Sequence, residues 1–408
     1  MVGKLCTDFG CVEFLFFSGN FTLPPAITAE EFGLKYAGIN FGLLVTYTVV
    51  GTFLNAILTQ NLTSMIGWGG MFGLFAGCSG IKIRLMYTQP HKTQNVTYGM
   101  YLLITIHHTP SADKRPPRNF YMLPSLEQQG KMCKTIGVRG FVVLFGSMLL
   151  HLTFGNGYTI GNMIPYIASY LRVMGSNSNT SASDLMWIQT MGNIGQGLFI
   201  NLGGIMSSYI DPRISICIGS IIASVGITIS YFAVHHSLAL LAFTYGLLYG
   251  IGKGIAYMAP ITICMTWFPQ NRALITGLIV GSLGFGGFIF SPVQTQYINP
   301  NNIAPNEHGF FTDPQLINRV PNVFFLLGAI LSSIQLIGYL LLSFDSSNTK
   351  YEETSTEIVK STTETCQSFT PKQMLCHRQF YVLWVTFFLN VQLVTFINAM
   401  CKSVRITL

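Results

Sequence analysis

Residues 245–292 read YGLLYGIGKGIAYMAPITICMTWFPQNRALITGLIVGSLGFGGFIFSP. Two apolar segments flank one polar corner, Trp267-Phe268-Pro269-Gln270-Asn271-Arg272. Each is long enough to cross a lipid core of ~30 Å, which takes about 20 helical residues. Glycines recur four apart, Gly246/Gly250/Gly254 before the corner and Gly277/Gly281 after it. Lipid supplies no hydrophobic drive to pair helices, so close backbone approach over small residues must provide the contact. The run Gly281-Ser282-Leu283-Gly284-Phe285-Gly286 invites a nucleotide-binding reading, but that fingerprint belongs between a strand and a helix of a soluble unit. Inside an apolar segment it reads as a packing surface. One charge interrupts the stretch, Lys253. The expectation is an all-α polytopic membrane protein.

Composition agrees. Charged residues make up 9% of the chain and hydrophobic residues 50%, whereas a soluble domain carries about 25% charged residues. The nine cysteines are scattered, and Cys6 and Cys11 have no His or Cys partner nearby. Neither a metal site nor a cofactor is expected, and no nucleic-acid partner. No clustered His/Asp/Glu or Ser/His constellation lies at membrane depth, which argues against an enzyme. Lys4 and Asp8 interrupt residues 1–10, so a cleavable signal peptide is not expected.

The chain contains ten apolar segments, near 9–28, 37–60, 62–83, 140–171, 184–210, 214–234, 238–267, 273–297, 322–344 and 380–401. Two polar stretches, 82–139 and 344–379, divide the series and read as linkers. Placing the first in the cytoplasm puts sixteen basic residues inside and five outside, Lys253 left apart. That asymmetry is the positive-inside pattern, and it sends both ends of the chain outward.

Two sets of motifs carry a resemblance. Gly250-Ile251-Gly252-Lys253-Gly254, Tyr257, Pro260 and Trp267-Phe268-Pro269 with Arg272 form the first. Gly203-Gly204 followed by Asp211-Pro212-Arg213 forms the second. Together they resemble the major facilitator superfamily, in the branch of monocarboxylate transporters and oxalate:formate antiporters, with Asp211 and Ala273 standing where the family has glycine. On this likeness residues 139–344 form the six-helix first half. Residues 345–379 are the cytoplasmic central loop, and residues 380–408 resemble the seventh helix. Residues 1–84, through Gly19–Lys35 and Gly38–Leu44, look like the last three helices, joined by a basic cytoplasmic linker at 85–138. Helices eight and nine have no counterpart. The expected architecture is therefore a major facilitator-like bundle of about ten transmembrane helices with an incomplete second half.

The resemblance implies a secondary active transporter that moves small solutes, organic anions such as monocarboxylates, by alternating access about a midplane site. Its partners would be the solute, a proton or counter-anion, and the lipid bilayer. The plasma membrane is expected ahead of an organelle. The alternative is a non-transporting or incomplete scaffold from a fused gene model, poorly stable as written.

Polar residues at membrane depth are the candidate pathway. A central Lys costs ~2.5–3.5 kcal/mol on insertion scales, so Lys253 either attracts an anion or pairs helices, unless it reaches an interface. His151 reads as a proton-coupling residue or as a hydrogen-bonded structural one. Asn156, Tyr158, Asn162 and Tyr166 recur along one segment, and Asn162 and Tyr166 share a face. They line a cavity or hydrogen-bond between helices, as do Asn390 and Asn398. Tyr257 joins Lys253 one turn on. Arg213 and Arg272, at cytoplasmic corners, read as gating residues.

Overall fold

The computed structural model describes residues 24–25, 27–28, 31–33, 36–86, 126–174, 184–268, 271–306, 309–343 and 369–407. Among them every regular element is helical. The long helices are α1 (Ala37–Met86), α2 (Leu126–Phe154), α3 (Ile160–Met174), α4 (Met186–Tyr209), α5 (Pro212–His236), α6 (Tyr249–Trp267), α7 (Arg272–Ile298), α8 (Asn322–Ser343) and α9 (Arg378–Thr407). Six stretches of the described residues are long and apolar enough to span a membrane: Ala37–Leu62, Val138–Met174, Pro212–His236, Leu238–Trp267, Leu274–Ile298 and Pro314–Ser343. The chain is an integral, multi-pass membrane protein.

The ten-segment reading meets this structure unevenly. The segment at 9–28 lies almost wholly outside the described residues, as do most of the two linkers. The segments at 37–60 and 62–83 are one helical run, α1, broken only at Gly67, where φ is 65° and ψ 177°. A side chain is strained at such a φ, and glycine is not. The helix expected from residue 140 begins earlier, at Leu126. α4 is long enough to span but is not among the six apolar stretches, because it carries Gln189, Asn193, Gln196 and Asn201.

The glycine stripe organises the bundle. A Cβ on Gly246 would meet Ile188, one on Gly250 would meet Gly192, and one on Gly254 would meet Gln196. Numbers rise together on both helices, so α4 and α6 are parallel and in backbone contact. α5 crosses α6 in the opposite sense, Gly219 opposite Gly252 and Gly226 opposite Tyr249. After the corner the stripe is used differently. Gly281 faces open space, and Gly286 is the residue that meets Leu152 and Gly155. The apparent nucleotide fingerprint is thus a helix surface.

Local chemistry explains the ends. Asp211 caps α5, its carboxylate accepting from Arg213 N at 2.7 Å with Pro212 at the first turn. A cap satisfies an orphan backbone donor, which the family's glycine cannot do with a side chain. Between α2 and α3 the helix tightens into a 3-10 turn, Gly155–Thr159. The Tyr249 hydroxyl donates to the carbonyls of Thr153 (3.1 Å) and Phe154 (3.0 Å) at this turn. An irregular turn at membrane depth persists only where a neighbour restores such bonds.

The two ends of the chain meet. α1 lies between α4 and α9. Gly38 abuts Gly204 on one side, and Gly51 abuts Val391 on the other. Asn55 Nδ2 donates to the Gln392 carbonyl at 2.6 Å, and Trp384 Nε1 to Thr46 Oγ1 at 3.0 Å. Ile27, Phe32, Leu44 and Tyr47 share one apolar core with Met374, Phe380, Leu383 and Phe387.

Candidate functional site

Where α1 and α9 approach α4, α6 and the 3-10 turn, the packing leaves a cleft of two adjoining chambers. They share Tyr158, Gln189, Asn193 and Gln196 as walls. The chamber inside the six-helix block encloses about 400 Å³ and adds Tyr245, Tyr249 and Lys253. The chamber facing the chain ends encloses about 520 Å³ and adds Phe41, Tyr47, Thr48, Tyr257, Val391 and Thr395. Five helical elements from both ends and the middle of the sequence therefore build one site.

Lys253 is its only cation among the described lining residues. The side chain is 4% exposed, and Nζ lies 4.5 Å from the centre of the Tyr158 ring and 3.5 Å from its hydroxyl. These are aromatic and phenolic contacts; among the described residues none is a carboxylate. A cation over a ring face gains about 2 kcal/mol when desolvated, less than a buried charge costs. The Tyr257 hydroxyl and Gln189 Oε1 are also buried in the cleft walls without a hydrogen-bond partner. The ring of Tyr257 is held by Phe41 of α1, stacked at 6.0 Å, and by His151 at 5.1 Å.

The other sequence candidates fall elsewhere. His151 is fully buried beside the cleft. Its Nδ1 lies 3.1 Å from the Ser147 carbonyl; a carbonyl only accepts, so Nδ1 carries the hydrogen and Nε2 is left as an acceptor without a partner. Asn156 and Asn162 turn to α7. Gln294 Nε2 donates to Asn156 Oδ1 (3.1 Å) and Thr159 Oγ1 (2.6 Å), and Asn162 Nδ2 donates to Gln294 Oε1 (3.3 Å). Thr295 Oγ1 donates to Asn162 Oδ1 at 3.2 Å. Tyr166 stacks on Phe311 at 4.8 Å, on the same side as Asn162 and away from the cleft walls. Asn390 and Asn398 belong to α9, and their side chains lie outside the described residues. Arg213 and Arg272 stand at the starts of α5 and α7, each with Nε buried and unpartnered. Partial burial pulls the Arg272 guanidinium below its ordinary pKa, and it remains charged.

The Gln294 knot gives a direct test of this division. Gln294→Leu strands Asn156 and Thr159 in the bundle, at a cost of about 1–2 kcal/mol. The expected outcome is a lower melting temperature with an unchanged half-saturating solute concentration. A changed concentration at unchanged stability would return Asn156 and Asn162 to the pathway.

Sequence reasoning passed over Gln189, Asn193 and Gln196. Their spacing of four and three residues put three amides on one face of an otherwise apolar, glycine-rich helix, and that was the signal available.

A sequence profile of the Major Facilitator Superfamily matches residues 143–405, well over half of the chain. The chain belongs to the Major Facilitator Superfamily. It is 25% identical over 315 residues to Apicoplast pyruvate carrier 1 of Toxoplasma gondii, covering 62% of this chain and 57% of that protein. It is 24% identical over 280 residues to Apicoplast pyruvate carrier 2 of the same organism, 57% of this chain and 43% of that one. Over 111 residues it is 33% identical to Monocarboxylate transporter 12-B of Danio rerio, 27% of this chain and 23% of that protein. The chain thus spans at most a little over half of each of these curated relatives. As a superfamily member it has its cleft where the two chain ends close on the six-helix block.

Proposed function

We propose that this chain acts in a secondary active transporter that carries small organic anions, monocarboxylates among them, by alternating access. The observation that carries the reading is Lys253, a buried cation in the cleft whose contacts are rings and phenols. Such a charge is costly unless something returns the energy, and an anionic solute entering the cleft does so. The names of the relatives point the same way, since two are called pyruvate carriers and one a monocarboxylate transporter. The residue boundaries of the halves, 1–84 with 380–408 against 139–344, belong to this reading. It has the cleft walls move apart and together as those bodies rock. A proton or a counter-anion drives the cycle, with His151 the candidate proton site beside Tyr257. The plasma membrane is its expected location.

Purified protein reconstituted in liposomes tests the reading. Radiolabelled acetate, propionate and pyruvate should enter saturably and faster with a pH gradient or an internal counter-anion, while glycerol should not. Flux of all four at the rate of empty vesicles would leave a membrane scaffold as the better description.

A further inference from the structure

Gln189 has a buried acceptor with nothing to accept. The residue is 8% exposed, it lines both chambers of the cleft, and its Oε1 has no hydrogen-bond partner. A buried polar atom left unmade is expensive, and native interiors satisfy nearly all of them. Gln189 sits on α4 one turn before Gly192, the residue in backbone contact with Gly250 of α6; Lys253 follows Gly250 by three residues. That crossing places an orphan acceptor and a lone cation in the walls of one chamber.

We infer that Gln189 is a specificity-determining residue that reads a hydrogen-bond donor on the solute, and that the preferred solute is a short 2-hydroxy monocarboxylate. The inference rests on the anion-carrier reading and sharpens it. Lys253 takes the carboxylate, and Oε1 of Gln189 takes the neighbouring hydroxyl hydrogen. A 2-oxo acid has only lone pairs at that carbon and leaves Oε1 unpaired. A plain alkyl acid offers a methylene hydrogen and leaves it equally unpaired. A 2-amino acid has donors, but its ammonium group would lie in the same chamber as the Lys253 ammonium, and like charges repel strongly where little water screens them. The hydroxyl is the neutral donor that satisfies both walls.

The test is a three-carbon panel in the reconstituted full chain: lactate, pyruvate and propionate, each competing with labelled propionate for uptake. An unpaired buried acceptor is worth enough to separate ligands by about fivefold or more, so lactate should compete at least that much better than either of the others. Gln189→Leu should bring lactate down to the level of propionate, whereas Gln189→Asn, which keeps an amide oxygen, should keep part of the preference. If Gln189→Leu fails to fold, the wild-type ranking alone decides. Pyruvate equal to or better than lactate overturns the inference, as does an unchanged ranking in Gln189→Leu. Equal competition by all three overturns it while leaving the anion carrier standing. No uptake and no competition by any of them overturns the carrier reading together with this inference.

Discussion

Lys253→Met is expected to make the protein more stable and to remove its anion flux. Two energies of opposite sign meet at this residue. An unpaired ammonium at the centre of a membrane helix costs ~2.5–3.5 kcal/mol, and its position over the Tyr158 ring returns at most about 2 kcal/mol. Methionine keeps the length of the stem without the charge, so about 1 kcal/mol of net stability should be gained, visible as a melting temperature raised by a few degrees. For an anion in the cleft the balance reverses. Removing the partner of a desolvated charge costs about 2–5 kcal/mol, and each 1.4 kcal/mol is tenfold. Flux at subsaturating propionate should therefore fall at least tenfold. A thermal melt and a liposome uptake assay on the same preparation read the two effects separately. A variant that melts lower and still transports would make Lys253 a helix-pairing residue, its attachment to Tyr158 structural.

Gly250→Val should cost most of the folded protein. A Cβ at this position meets the Gly192 carbonyl carbon at 2.8 Å and Cα at 2.9 Å. Both are backbone atoms of α4, so no rotamer change can relieve the clash. Overpacking an ordinary core costs about 1–3 kcal/mol, and here helices must separate along their closest line of contact. Contact of this kind, with no hydrophobic drive behind it, is what holds helices together in lipid. The matched control is Gly281→Val. Gly281 also stands in a four-residue glycine repeat, yet nothing lies within 4 Å of its Cβ position. Monodisperse yield after detergent extraction should collapse for the first variant and stay near wild type for the second. Equal losses would mean that helix propensity, and not the α4–α6 crossing, accounts for the effect.

The contrast between Gly250 and Gly281 shows where reading the chain stops. That the protein spans a membrane as a helical bundle was decided by apolar lengths, because lipid leaves a backbone few ways to satisfy itself. The glycine repeat announced close packing, and it could not name the partner, since a four-residue repeat looks the same whether its face meets a helix or open space. Lys253, Tyr158 and Tyr257 were legible as site residues because charge and hydroxyl at membrane depth are costly and so need a reason. Asn156, Asn162 and Tyr166 were equally legible as polar, but their hydrogen bonds run to α7 and Phe311. Each residue turns a helix by about 100°, and which neighbour stands at that angle is a property of the assembled bundle. The same limit hid Tyr47, Thr48 and Thr395, which join the cleft only because α1 and α9, from opposite ends of the chain, pack on each other. Periodicity along a sequence records which face of a helix is polar; only the tertiary packing, set by contacts between residues hundreds of positions apart, decides what that face encounters.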